Sequence, residues 1–198
     1  MQPLDLNSSL LRRHFVSARE GTNNLLFYFA TCAPIQDKQQ RFPKEIVLAL
    51  GLPSEIQNFY DYRSRYPGIY NRLYQFCVIS LCSDIEKLFR ELFSERGYSP
   101  EPRRGFYQRF NDVISVLETN GYNFSTIESE CSKLRLAFQI RHICIHNLGE
   151  VDQAFIDATV YPGLIGDVYQ LDQTAYREMY EAHETLLKVI DSHLGSAP

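Results

Sequence analysis

A chain of 198 residues with 44% hydrophobic and 22% charged residues is long enough for one well-buried domain with at most a small appendage. Its 13 Tyr and 13 Phe argue against long disorder, and the net charge of −4 excludes a uniformly basic nucleic-acid-binding surface. The acid is nevertheless concentrated at the end: from Val151 onward two basic residues face eight acidic ones, while residues 1–150 carry 18 basic against 16 acidic.

In chain order, residues 8–30 read as a first helix. Ser8 or Ser9 can cap it, Leu10, Leu11, Phe15, Ala18, Leu25, Leu26 and Phe29 follow near helical spacing, and Gly21 marks a kink or break. Residues 31–43 are polar, hold two prolines and read as a connection. "PKEIVLALGL" and "PSEIQNFYDYRSRY" each open on Pro, the residue suited to a first helical turn, and predict two short helices. The tyrosines at 60, 62, 66, 70 and 74 suit packing better than base stacking.

The strongest helical signal runs from Ile69 to about Arg96. Leu73, Phe76, Cys77, Ser80, Leu81, Asp84, Ile85, Leu88, Phe89 and Leu92 trace its apolar stripe, and Gly97 ends it. Asp84 and Glu86 on this helix read as surface acids, with positioning of a nearby arginine as the alternative. "SPEPRRG" is a turn, followed by a helix from about Phe106 to Thr119. Ser125 and Glu128 have capping-box spacing, which predicts the start of a helix carrying Ile127, Cys131, Leu134, Leu136, Phe138, Ile140 and Ile143. Gly149 predicts its end near Leu148. A short helix over 153–158, a turn or short hairpin in "YPGLIGDVYQLD", and a last helix capped by Asp172 complete an all-α expectation of five to seven helices.

The five cysteines form no CxxC pair, and four sit in apolar or helical patterns, so buried thiols in a reducing cytoplasm are expected. No signal peptide is legible and no apolar run reaches membrane-spanning length, so no membrane partner is expected.

One stretch stands apart. "RHICIHNLGE" sets Arg141, His142, His146 and Asn147 among Ile143, Cys144 and Ile145. Five residues at 100° each place Arg141 and His146 about 140° apart, whereas His142 and His146 share a face. A His-x3-His pair can ligate zinc, but no third ligand accompanies it, and we assign no metal and no cofactor. Arginine presents a planar fork suited to phosphate oxygens, and histidine titrates nearest neutrality.

Together these residues resemble the R-x4-6-H signature of the HEPN superfamily. "QIRHICIHNLGEVDQAF" is similar to that family's motif helix, and "LCSDIEKLFRELF" to the long helix packed on it. The likeness spans about Tyr70 to His193, so the domain reading is an N-terminal helical extension, 1–66, packed on a HEPN-like domain, 67–198. His142 departs from the Asn common in the family, and Leu148 stands where one toxin subset carries a modified Tyr.

The resemblance implies an all-α bundle and a cytoplasmic, metal-independent endoribonuclease in which His146 is the general acid/base and Arg141 stabilises the phosphate. Asn147 and His142 would support them. It further implies a homodimer with a composite active site, RNA as substrate, and a toxin–antitoxin or anti-phage defence partner. Arg103, Arg104 and Arg109 form a basic cluster able to meet RNA. The alternative is a non-catalytic scaffold of the same type that binds a nucleotide, RNA or a protein partner.

Overall fold

A computed structural model of the chain describes residues 4–27, 40–100 and 104–196. Arg103 and Cys32 lie outside them, as does the expected end of the first helix near residue 30. The described residues form helices and no strand. Helix α1 (Ser9–Ala18) passes through a π-helical turn (Arg19–Asn23) into α2 (Asn24–Phe27). Then come α3 (Lys44–Ala49), α4 (Phe59–Arg65), α5 (Gly68–Arg96), α6 (Phe110–Thr119), α7 (Glu128–His146), α8 (Gln153–Thr159) and α9 (Gln173–Ser196).

The helix ends follow local chemistry. Ser8 caps α1 by accepting from Leu11 N, and Asp191 of α9 accepts from Asn7 N and Ser8 N at 2.7 Å each. The expected break at Gly21 is a π-turn, which admits one extra residue without ending the helix. The second proline-led helix starts later than its proline indicates, because Asn58 supplies the cap and accepts from Asp61 N at 2.9 Å. Asp152 and Asp172 cap α8 and α9 in the same way.

The capping box expected at Ser125 does not form. Ser125 turns back on Asn123 Oδ1 through both its N–H and its hydroxyl, and residues 125–127 make a 3-10 turn instead. Glu128, free of that duty, pairs with Arg135. The segment "YPGLIGDVYQLD" forms no hairpin of its own. It returns to the chain just after α7, where Glu150 and Val168 make an isolated bridge and Tyr169 N donates to Gly149 O.

The core lies between α5, α7 and α9. Helix α7 packs on both of the others, and α1 packs on α5 and α9. From α5, Cys77, Leu81, Ile85, Leu88 and Leu92 are buried at spacings of three and four residues. Each such aliphatic side chain contributes roughly 1.5–3 kcal/mol of transfer free energy. Leu10, Leu11 and Phe15 of α1 belong to the same hydrophobic cluster. Phe76, assigned to the stripe from sequence, lies about 100° from Cys77 and about 140° from Leu81 around the helix. It is 56% exposed, beneath the Arg72 guanidinium. Cys77, Cys82, Cys131 and Cys144 are buried thiols, and burial pushes Cys131 and Cys144 up to about 11. They are packing residues, not nucleophiles.

One core contact is polar. His14 of α1 and His183 of α9 meet Nε2 to Nε2 at 2.8 Å, both buried. One ring must donate and the other accept, so the contact is lost once both rings are protonated, and burial disfavours even the first charge. Burial, and then the charge of Lys87, lower His14 to about 4; burial lowers His183 well below its ordinary value. The unfolded chain therefore binds more protons than the folded one below pH ~6.5, and stability falls as pH drops from there toward 4. Asp84, half-buried beside His14, and Glu184 are both raised and act in the opposite sense. Urea midpoints are expected to fall steeply between pH 7 and 4.5, and replacing both histidines by leucine to flatten that slope. An unchanged slope in the double variant would assign the acid sensitivity elsewhere.

Candidate functional site

The residues of the motif separate onto two sides of α7. Arg141 turns inward and sets its Nη2 2.9 Å from Oε1 of Glu86 on α5, with side chains only 14% and 7% exposed. Glu86, read from sequence as a surface acid, is thus buried and holds the motif arginine. Its spacing carried the signal: it lies four residues after Cys82 and three before Phe89, both fully buried. Arg90 approaches the other carboxylate oxygen at 3.5 Å. The Arg141–Glu86 contact is close but off-axis, and Arg141 Nε has no hydrogen-bond partner among the described residues.

His142 and His146 face outward and both are exposed, as their spacing predicts. Their ring centroids lie 4.7 Å apart at 51°. Asn147 follows as the cap of α7, but its amide donates to Asp152 Oδ2 at 2.6 Å, while Asp152 Oδ1 caps α8. Asn147 therefore ties the end of the motif helix to the next helix, and its observed partner is Asp152 rather than an imidazole. Among the described residues no group of three His, Cys, Asp or Glu is placed to hold a metal ion.

The turn after His146 is clamped onto α5. Leu148 adopts φ 56° and Gly149 φ 90°. Arg72 donates to Leu148 O at 2.9 Å and to Gln75 Oε1 at 2.8 Å, and buried Gln75 donates to Tyr169 O. A Cβ on Gly149 would stand 2.6 Å from Gln75 Nε2. Gly149, legible in the sequence only as a helix stop, is thus also required for close approach. Gly149→Ala is expected to lower stability by about 1–3 kcal/mol, from the strained φ and the displaced Gln75, as read by urea unfolding. Around His146, Ile145 is 45% and Leu148 70% exposed, and Arg72 links this end of α7 to exposed Phe76.

The basic candidates converge from the other direction. Arg104 and Arg109 flank the 3-10 turn Phe106–Gln108, and both line a groove of about 420 Å³ together with Arg135, Arg141 and His142. Arg109 is ion-paired with Asp112 and also donates to Arg104 O at 3.1 Å. Arg135 was not singled out from sequence, and no local pattern marks it. It reaches the groove because α7 packs beside α6, where Asn111 Oδ1 accepts from its Nε at 2.6 Å. His146 and Asn147 do not line this groove.

Comparison with protein-family models, with curated proteins and with solved structures returned no match. Among the described residues no helix is long and apolar enough to cross a membrane.

Proposed function

We propose that the chain is a metal-independent endoribonuclease of HEPN type, acting as a homodimer on RNA, in the cytoplasm and in a toxin or defence setting. The observation that carries this reading is the exposed His142–His146 pair at the end of a helix whose Arg141 is held by a buried acid on the neighbouring long helix. The chemistry needs no metal. The substrate's own 2′-OH attacks the adjacent phosphorus, the P–O5′ bond breaks, and a 2′,3′-cyclic phosphate and a 5′-hydroxyl result. His146 takes or returns the proton, and the guanidinium stabilises the phosphorane.

A single chain has few groups for this task, and a second copy would supply the rest. Ile145 and Leu148 beside His146, with Phe76 reached through Arg72, offer an apolar rim on which a second copy of this end of α7 could pack. The test is incubation of purified protein with RNA in EDTA at a series of protein concentrations. Cleavage is expected to persist without metal and to fall faster than linearly on dilution, as dimers separate. A strict metal requirement, or activity that outlives both His146→Ala and Arg141→Lys, would sink the mechanism.

A second reading has its own observation. Arg141 is largely buried and already paired with Glu86, so its charge is matched before any substrate arrives. That favours a non-catalytic scaffold of the same architecture, binding a nucleotide, RNA or a protein. RNA binding without cleavage in the same assay would select it.

A further inference from the structure

Four guanidiniums line the groove beside α7, those of Arg104, Arg109, Arg135 and Arg141, and Asp112 is the acid among its lining residues. Three of them are each held by one carboxylate: Arg109 by Asp112, Arg135 by Glu128 and Arg141 by Glu86. A guanidinium carries five N–H donors, so one carboxylate leaves several unused on Arg109 and Arg141, whereas Arg135 also donates to Asn111 and Ser132. Arg109 Nη2 and Arg141 Nε, both buried, have no partner among the described residues. Four guanidiniums against one lining carboxylate leave the groove positively charged and suited to an oxyanion. At about 30 Å³ per water, 420 Å³ holds more than a bare ion and is in the range of ligand sites.

We propose that this groove is a phosphate subsite that seats the RNA phosphate neighbouring the one to be cleaved. His142 locates it: this residue lines the groove and its ring lies 4.7 Å from that of His146, so a strand that places one phosphate at the histidine pair can lay the next among the arginines. The choice of RNA rests on the ribonuclease reading; the excess of guanidiniums in the groove does not. Phosphate suits the site because a guanidinium fork matches its oxygens, and because Arg104 faces no carboxylate among the groove's described ion pairs.

The experiment measures binding of a 2′-O-methyl RNA oligonucleotide, which has no nucleophile and is not cut, against salt concentration. Wild type and the double variant Arg104→Gln/Arg135→Gln are compared, with inorganic phosphate as competitor. The double variant is a fair probe because Arg135 and Glu128 are surface residues whose pairing contributes little to stability, and unfolding curves verify that it folds. Expected is at least tenfold weaker binding for the double variant than for the wild type. The salt slope should shrink by about 1.4, from two lost contacts at about 0.7 each. Equal affinity and slope for the double variant, or no binding by the wild type, would overturn the subsite. So would displacement of the oligonucleotide by an equal concentration of inorganic phosphate, which would make the groove a site for the free ion. Failure of wild-type cleavage alongside a weakened double variant would instead remove the ribonuclease reading and leave the subsite standing.

Discussion

Arg141→Ala is expected to destabilise the fold by about 3 kcal/mol, the lower end of the cost of breaking a buried ion pair. The penalty comes from what remains: Glu86, 7% exposed, would keep its charge with only Arg90 at 3.5 Å to meet it. The lower end applies because Arg90 compensates in part. Removing both partners should cost far less, since buried ion pairs are commonly replaced by apolar residues without loss. Arg141→Met with Glu86→Leu is therefore expected to recover most of the stability in urea unfolding. A cost below about 1 kcal/mol for the single change would mean that Glu86 sheds its charge or reaches solvent easily. This has a consequence for the chemistry. Loss of cleavage in Arg141→Ala can report unfolding, so Arg141→Lys, which keeps the charge and loses the fork, is the variant that tests phosphate recognition.

The opposite separation is expected at His146. The side chain is exposed and makes no hydrogen bond among the described residues, so His146→Ala should change stability by less than about 0.5 kcal/mol. In the proposed reaction the same change should lower cleavage by roughly 10²–10⁴-fold, the usual weight of a positioned acid/base. Thermal unfolding and single-turnover cleavage of one preparation provide both readings. A large loss of stability would make His146 structural, and undiminished cleavage would move the acid/base role to His142, 4.7 Å away. His142→Ala in the same assay then tells whether the pair works jointly.

The arginine and the histidine of one motif thus predict different phenotypes, and their positions on α7 explain why. At 140° apart, one faces the core and the other solvent. A chemistry that needs both must draw an Arg141 partly away from its Glu86, in the same copy or in a second one, and the homodimer reading places that arginine in the second copy.

The sequence by itself determined the helices and the composition of the motif. Periodic apolar residues located α5 and α7, Asp172 and Ser8 marked the starts of α9 and α1, Gly97 marked a stop, and the i, i+4 spacing put His142 beside His146. These are local properties, carried by residues within one or two helical turns of each other. Where two local signals competed, at Ser125 and at the second proline-led segment, asparagine side chains decided the outcome. What only the tertiary structure decided lies between residues far apart in the chain. Glu86 reaches Arg141 across 55 positions, His14 reaches His183 across 169, and Arg135 joins Arg104 and Arg109 through the packing of α7 beside α6. Spacing within a helix orders the faces of that helix. Which element covers each face is settled by packing, and packing turned an acid on a long helix into the buried partner of the motif arginine.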